Sequence, residues 1–246
     1  MTPSDRLNAA RSAAREGRHE EALQEYIWFH HHALAEQPAL SGVRLSFALG
    51  YWVDLGADYP PALRALETIR DAYMACLLRG DGGLSEFLDV ASINEYLGAT
   101  ALTCELYKRI SGTLPELANR CAEAALPSIV EAEDFTLALQ LLPDPEPWTQ
   151  SLATWINDQM RHIKTLPFSQ APRRWATIAN SGQELKRVLN ILTANGLHAK
   201  AARIRSIALR LIQNPSVRRD LAGELVRPSR APVHLAYKRR RRSSTR

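Results

Sequence analysis

The chain has 246 residues, 46% of them hydrophobic, which supports a buried core and excludes a chain disordered throughout. Its net charge of +5 is an average: residues 1–158 carry −12, residues 159–226 carry +9 and residues 227–246 carry +8. No apolar run reaches the ~18 residues of a membrane span, and the polar start MTPSDRLNAARSAAREG lacks a signal-peptide core, so the sequence reads as a cytoplasmic protein without membrane contact.

Helix formers dominate and β-type alternation is almost absent, which predicts an all-α fold. Ser4 is the expected N-cap of a first helix that ends near Glu16, before Gly17. Glu20, Glu21, Ala22 and Tyr26 then open a second helix. Leu45, Ala48, Leu49, Trp52 and Leu55 recur at helical spacing up to Gly56. Pro60 and Pro61 suit the first turn of the next helix, whose apolar stripe is Ala62, Leu63, Leu66 and Ile69. A third pair spans 84–97 and 99–110, with Gly98 at the corner, Thr103 and Tyr107. A fourth spans 117–142; Pro127 is expected to kink its first helix, and Ala138 falls in the second.

A corner Gly, an acidic pair, a small residue at the hairpin crossing and an aromatic four residues later resemble the tetratricopeptide repeat. The crossing positions Ala22, Ala62, Thr103 and Ala138 lie 40, 41 and 35 residues apart, against about 34 in that family. The resemblance implies a right-handed α-solenoid of antiparallel helix pairs over 1–142, degenerate in sequence. It also implies a concave groove lined by the first helix of each pair, for a protein or peptide partner. The groove positions would be Leu7, Arg11, Ala14 and Arg15 from the first pair, and Arg44, Phe47, Tyr51 and Asp54 from the second.

Pro143, Pro145 and Pro147 alternate with acidic residues and predict an extended linker over 143–147. A basic helical segment follows over 148–226, packing as C-terminal hairpins. It comprises one helix over 148–166, a break over 166–172, a helix over 173–195 with a soft point at Ser181-Gly182, a hairpin over 195–215 and a short cap over 216–225. The Arg-rich tail, 227–246, lacks periodicity and is expected to be disordered. Arg173, Arg174, Lys186, Arg187, Lys200 and Arg203, with the tail cluster Lys238, Arg239, Arg240, Arg241 and Arg242, would attract an anionic partner. That partner is a nucleic acid, an acidic protein, or the acidic half of the same protein; the alternative is a basic tail that only solubilises the chain.

The sequence offers little catalytic chemistry. It contains no HExxH, Walker, GxGxxG or GxSxG motif, so no catalytic residue, cofactor or metal is expected and the chain reads as a non-enzyme. His30, His31 and His32 point ~100° apart on a helix and cannot share one metal, which makes them surface or groove histidines. Cys76, Cys104 and Cys121 form no CxxC pair and read as small buried residues. Trp28, Trp52 and Trp155 are assigned to the core, whereas Trp175, following Arg173 and Arg174, is placed at the surface.

Overall fold

The computed structural model describes residues 1–163 and 170–228, apart from the side chains of 170–172. Among the described residues every regular element is helical and there is no strand. No helix among them is long and apolar enough to cross a membrane. The chain divides into two compact units, the first Met1–Ser128 and the second beginning at Ile129.

The first unit is a series of helical hairpins. Helix α1 (Pro3–Arg15) pairs with α2 (His19–Glu36). The N-cap of α1 is Thr2 rather than Ser4. The Thr2 hydroxyl accepts from the Asp5 amide, and the Asp5 carboxylate accepts from the Thr2 amide, so two N–H groups left over at the helix start are satisfied. After a 3₁₀ turn (Pro38–Leu40) and a single turn α3 (Ser41–Val43), a π-turn over Arg44–Ala48 leads into α4 (Leu49–Asp58). Helix α5 (Pro60–Arg79) returns, with Pro60 at its first position as expected. Helix α4 runs through Gly56 to Asp58. A Cβ on Gly56 would lie 2.4 Å from the Leu63 side chain, so this glycine permits close hairpin contact rather than ending the helix. Helices α6 (Leu84–Leu97) and α7 (Thr100–Thr113) form the third hairpin. Gly98 turns it in the left-handed region at φ 72°.

One core joins the first two hairpins. Leu7, Ala10 and Ala13 of α1 meet Ala22, Leu23, Tyr26 and Phe29 of α2; Leu49, Trp52 and Leu55 of α4 and Leu66 of α5 join them, and Ile93 of α6 packs into the same cluster. The crossing residues Ala22, Ala62 and Thr103 are all fully buried. Thr103 is polar, and its hydroxyl accepts from Asn94 at 3.0 Å, which satisfies the group in the dry interior. Cys104 and Cys121 are buried and Cys76 is half-buried; all three are free thiols.

Helix α8 (Pro115–Glu131) runs on through Pro127, and the boundary between the units falls one residue further on, after Ser128. The second unit continues with α9 (Phe135–Leu141), α10 (Pro145–Ile163), α11 (Gln170–Ala194), α12 (His198–Leu211) and α13 (Pro215–Val226). The expected linker over 143–147 is not a spacer. Pro145 is the buried first residue of α10, and Pro147 lies in its first turn, where a missing N–H removes no helical bond. The core face of α10 is Thr149, Ala153, Ile156, Met160 and Ile163. Trp155 lies off that stripe and is 46% exposed, contrary to its assignment to the core. The 166–172 break falls largely outside the described residues. Arg227, assigned to the tail, pairs with Glu224 at 3.2 Å; the tail from 229 on, including Lys238–Arg242, lies outside the described residues.

The Ser181-Gly182 point is buried within a continuous α11. A Cβ on Gly182 would stand 2.5 Å from Glu224 Cγ and 3.1 Å from its Cβ. Glu224 cannot swing aside, because Lys186, Gln183 and Arg227 hold its carboxylate. Gly182→Ala is therefore expected to lower stability by about 1–3 kcal/mol through overpacking of α11 against α13. Gly112→Ala in α7, with open space around it, should leave stability unchanged or raise it by up to about 1 kcal/mol. Thermal unfolding of the two variants checks the contrast, and equal midpoints would refute the close contact.

Candidate functional site

Burying Leu7, Ala10 and Ala13 turns Arg11, Ala14 and Arg15 to the other side of α1. On α4, burying Leu49 and Trp52 likewise leaves Tyr51, Asp54 and Asp58 on a separate stripe. The two stripes converge on an open cavity of about 320 Å³. Arg11 and Arg15 supply cations from α1, Asp54 and Asp58 supply carboxylates from α4, and His19 stands at the start of α2. The Arg11 guanidinium lies 4.2 Å from the Tyr51 ring centroid, a cation–π contact that orients both side chains. Tyr26 forms part of the lining and stacks on Trp52 with centroids 6.0 Å apart. Burial pushes the Tyr26 phenol far above its ordinary range, so it remains a neutral O–H. Five of the eight sequence-assigned groove residues, Arg11, Ala14, Arg15, Tyr51 and Asp54, are thus brought together.

The other three are not: Leu7 is buried in the core of the first two hairpins. Phe47 is 65% exposed and does not line the cavity. Arg44 is buried, against its assignment to the groove. Its Nη2 lies 2.7 Å from Asp89 Oδ1, and its Nη1 donates to the His30 carbonyl at 3.3 Å. The π-turn explains the difference. The groove positions implied by the repeat resemblance assume a regular helix, and the wider turn over Arg44–Ala48 rotates everything before it.

His30 is consequently no surface histidine. It is buried, with Nε2 3.3 Å from Arg44 Nη1 and 3.9 Å from Asp89 Oδ1. Burial, aided by the Arg44 charge, pulls its pKa down to about 3. Burial also raises the Asp89 carboxyl, against the pull of Arg44. Asp89 was not singled out in the sequence. The available signal was a carboxylate four residues before Ile93, on the buried face of α6 beside Val90.

The basic assignments in the second unit are partly broken up. Lys186 is buried, with Nζ 3.9 Å from Glu224, and so drops out of any anion-facing surface. Arg174 pairs with Asp220 at 2.5 Å and Arg203 with Glu146 at 3.1 Å. Arg187 is half-buried, whereas Arg173 and Lys200 are exposed. Trp175 is 59% exposed, as its position after two arginines suggested. No group of His, Cys, Asp and Glu among the described residues could hold a metal ion. Comparison of the chain with protein-family models, curated proteins and solved structures finds no match.

Proposed function

We propose that the chain is a non-catalytic scaffold whose first unit binds a protein or peptide partner in the α1–α4 groove, with its hairpins stacked as a tetratricopeptide-like α-solenoid. Full burial of Ala22, Ala62 and Thr103 at the hairpin crossings supports the repeat reading. The observation that carries the binding reading is the convergence of Arg11, Arg15, Tyr51 and Asp54 on one open cavity. An arginine held on a tyrosine face beside a concavity is the composition of a binding hot spot. Cations on one wall and carboxylates on the other suit a peptide with charges of both signs around an apolar anchor.

A displayed peptide library selected against the full chain tests this. Binders are expected to lose affinity about tenfold or more on Tyr51→Ala and on Arg15→Glu, and to be unaffected by Phe47→Ala outside the cavity. Arg15 is exposed, so its variant tests the groove without disturbing the core. Peptides that bind the groove variants as well as the parent would overturn the reading, as would a selection that yields none.

A further inference from the structure

We propose that the groove of the first unit seats one phosphorylated side chain of its peptide partner, held by the guanidiniums of Arg11 and Arg15 and by the Tyr26 hydroxyl; this rests on the peptide-binding reading above. Arg11 and Arg15 stand one turn apart on α1, so both reach the same stretch of the open cavity of about 320 Å³ that they line. Asp54 and Asp58 line it as well, yet among the described residues neither arginine is in an ion pair. Arg11 is steadied instead by the Tyr51 ring and by Asn8, whose side-chain oxygen accepts from it at 3.5 Å. Arg15 is exposed.

Tyr26 supplies the observation that points to a ligand. It is 2% exposed, and its ring is held against Trp52. The groups whose charge acts on its phenol are Arg11, Asp54, Tyr51 and Arg15, all of them cavity walls, which puts the hydroxyl at the cavity floor. Among the described residues that hydroxyl has no hydrogen-bond partner. A phenol this deeply buried ordinarily has one, and the open side from which a partner can arrive is the cavity. Burial keeps the phenol protonated, so it meets an incoming anion as a donor.

Three donor groups from two helices thus serve one place. A carboxylate has two oxygens, and a single bidentate arginine satisfies it. A phosphate monoester has three terminal oxygens and a charge of about −1.5 to −2, which two guanidiniums and a phenol match. Other phosphates fit less well. Arg11 covers the Tyr51 face at 4.2 Å, so a nucleobase finds no platform there. The carboxylates on the α4 side oppose a continuous string of phosphates and suit a peptide whose other charges are positive.

The full chain is screened on arrays of peptides with random flanks around a fixed central position. That position carries serine or tyrosine, bare or phosphorylated, or glutamate, and the affinities of the best binders are measured by fluorescence anisotropy. Phosphorylated copies are expected to bind about tenfold or more tighter than their bare counterparts. Tyr26→Phe and Arg15→Gln should each erase most of that ratio, whereas Phe47→Ala, outside the cavity, should leave it within twofold. Tyr26→Phe removes only the hydroxyl and keeps the stack on Trp52, so its thermal midpoint should equal the parent's, which separates lost binding from lost folding. Glutamate copies that bind as tightly as the phosphorylated ones would overturn the proposal in favour of a carboxylate. An unchanged ratio in Tyr26→Phe and Arg15→Gln would overturn it by placing the phosphate elsewhere on the chain. Bare copies that bind as tightly, and are weakened by Tyr51→Ala, would overturn it and leave the groove reading standing; binding by no copy would overturn both.

Discussion

Trp52→Ala is expected to lower the unfolding free energy by about 3–5 kcal/mol, read from urea unfolding followed by far-ultraviolet circular dichroism. Trp52 is among the largest fully buried side chains and stands where three elements meet. Its ring stacks on Tyr26 of α2, and its indole N–H donates 2.9 Å to the Ala62 carbonyl in the first turn of α5. His30 contributes an edge-on contact 6.2 Å away. Deletion would remove the transfer free energy of the ring and leave a cavity at the crossing of two hairpins, which cannot collapse because Ala22 and Ala62 already bring the backbones close. Trp52→Phe keeps a ring but loses the N–H donor, and should cost only about 1–2 kcal/mol. If the alanine variant matched the parent to within about 0.5 kcal/mol, Trp52 would not hold this junction.

The second large effect concerns Arg44 and Asp89. Removing either partner alone strands a charge in the interior, and Asp89→Ala or Arg44→Ala should each destabilise by about 3–5 kcal/mol. Replacing both with apolar residues of similar volume, Arg44→Met with Asp89→Val, should cost far less than the sum of the single changes. Additive losses would show that the two charges do not compensate each other.

The same cluster fixes a pH dependence. His30 faces Arg44, Asp89, His31 and Tyr73, and its native pKa of about 3 lies below the ordinary value of 6.5. The unfolded chain therefore takes up a proton below pH 6.5 that the native state refuses. The stability His30 lends is fully present above pH 6.5 and declines as the pH falls toward 3. Asp89, raised in the native state, works in the opposite direction, but only nearer the carboxylate range. Between pH 7 and pH 5 the parent should lose about 2 kcal/mol more than His30→Gln. Parallel pH profiles would show that His30 titrates normally.

The parts of the structure that were legible from sequence are those decided by neighbours along the chain. Gly98 and the apolar periodicity before it placed α6 at Leu84–Leu97, because a left-handed corner and a helical stripe are both local. The repeat resemblance likewise implied an open side for Arg11 and Arg15, because their positions on α1 depend only on a regular helix. Arg44 was misplaced because its compensating charge lies on α6 and because a π-turn changes the period at that point. Lys186 was misread for the first of these reasons, since Glu224 lies on another helix. The prolines over 143–147 misled because the same residue that forbids a helix interior is well suited to a helix start. Trp155 was assigned by apolar neighbours alone, and the stripe of α10 passes it by.

The pairing of Arg44 with Asp89 has a consequence for how the first unit assembles. In an array whose repeats add independently, a chain emerging from synthesis could complete each hairpin in turn. Here Arg44, just ahead of α4, has no anion to meet it until Asp89 of α6 has been made. Residues 1–79 alone would carry that unmet charge. The Arg44–Asp89 pair thus couples α6 to the second hairpin, since neither charge is compensated in the interior without the other.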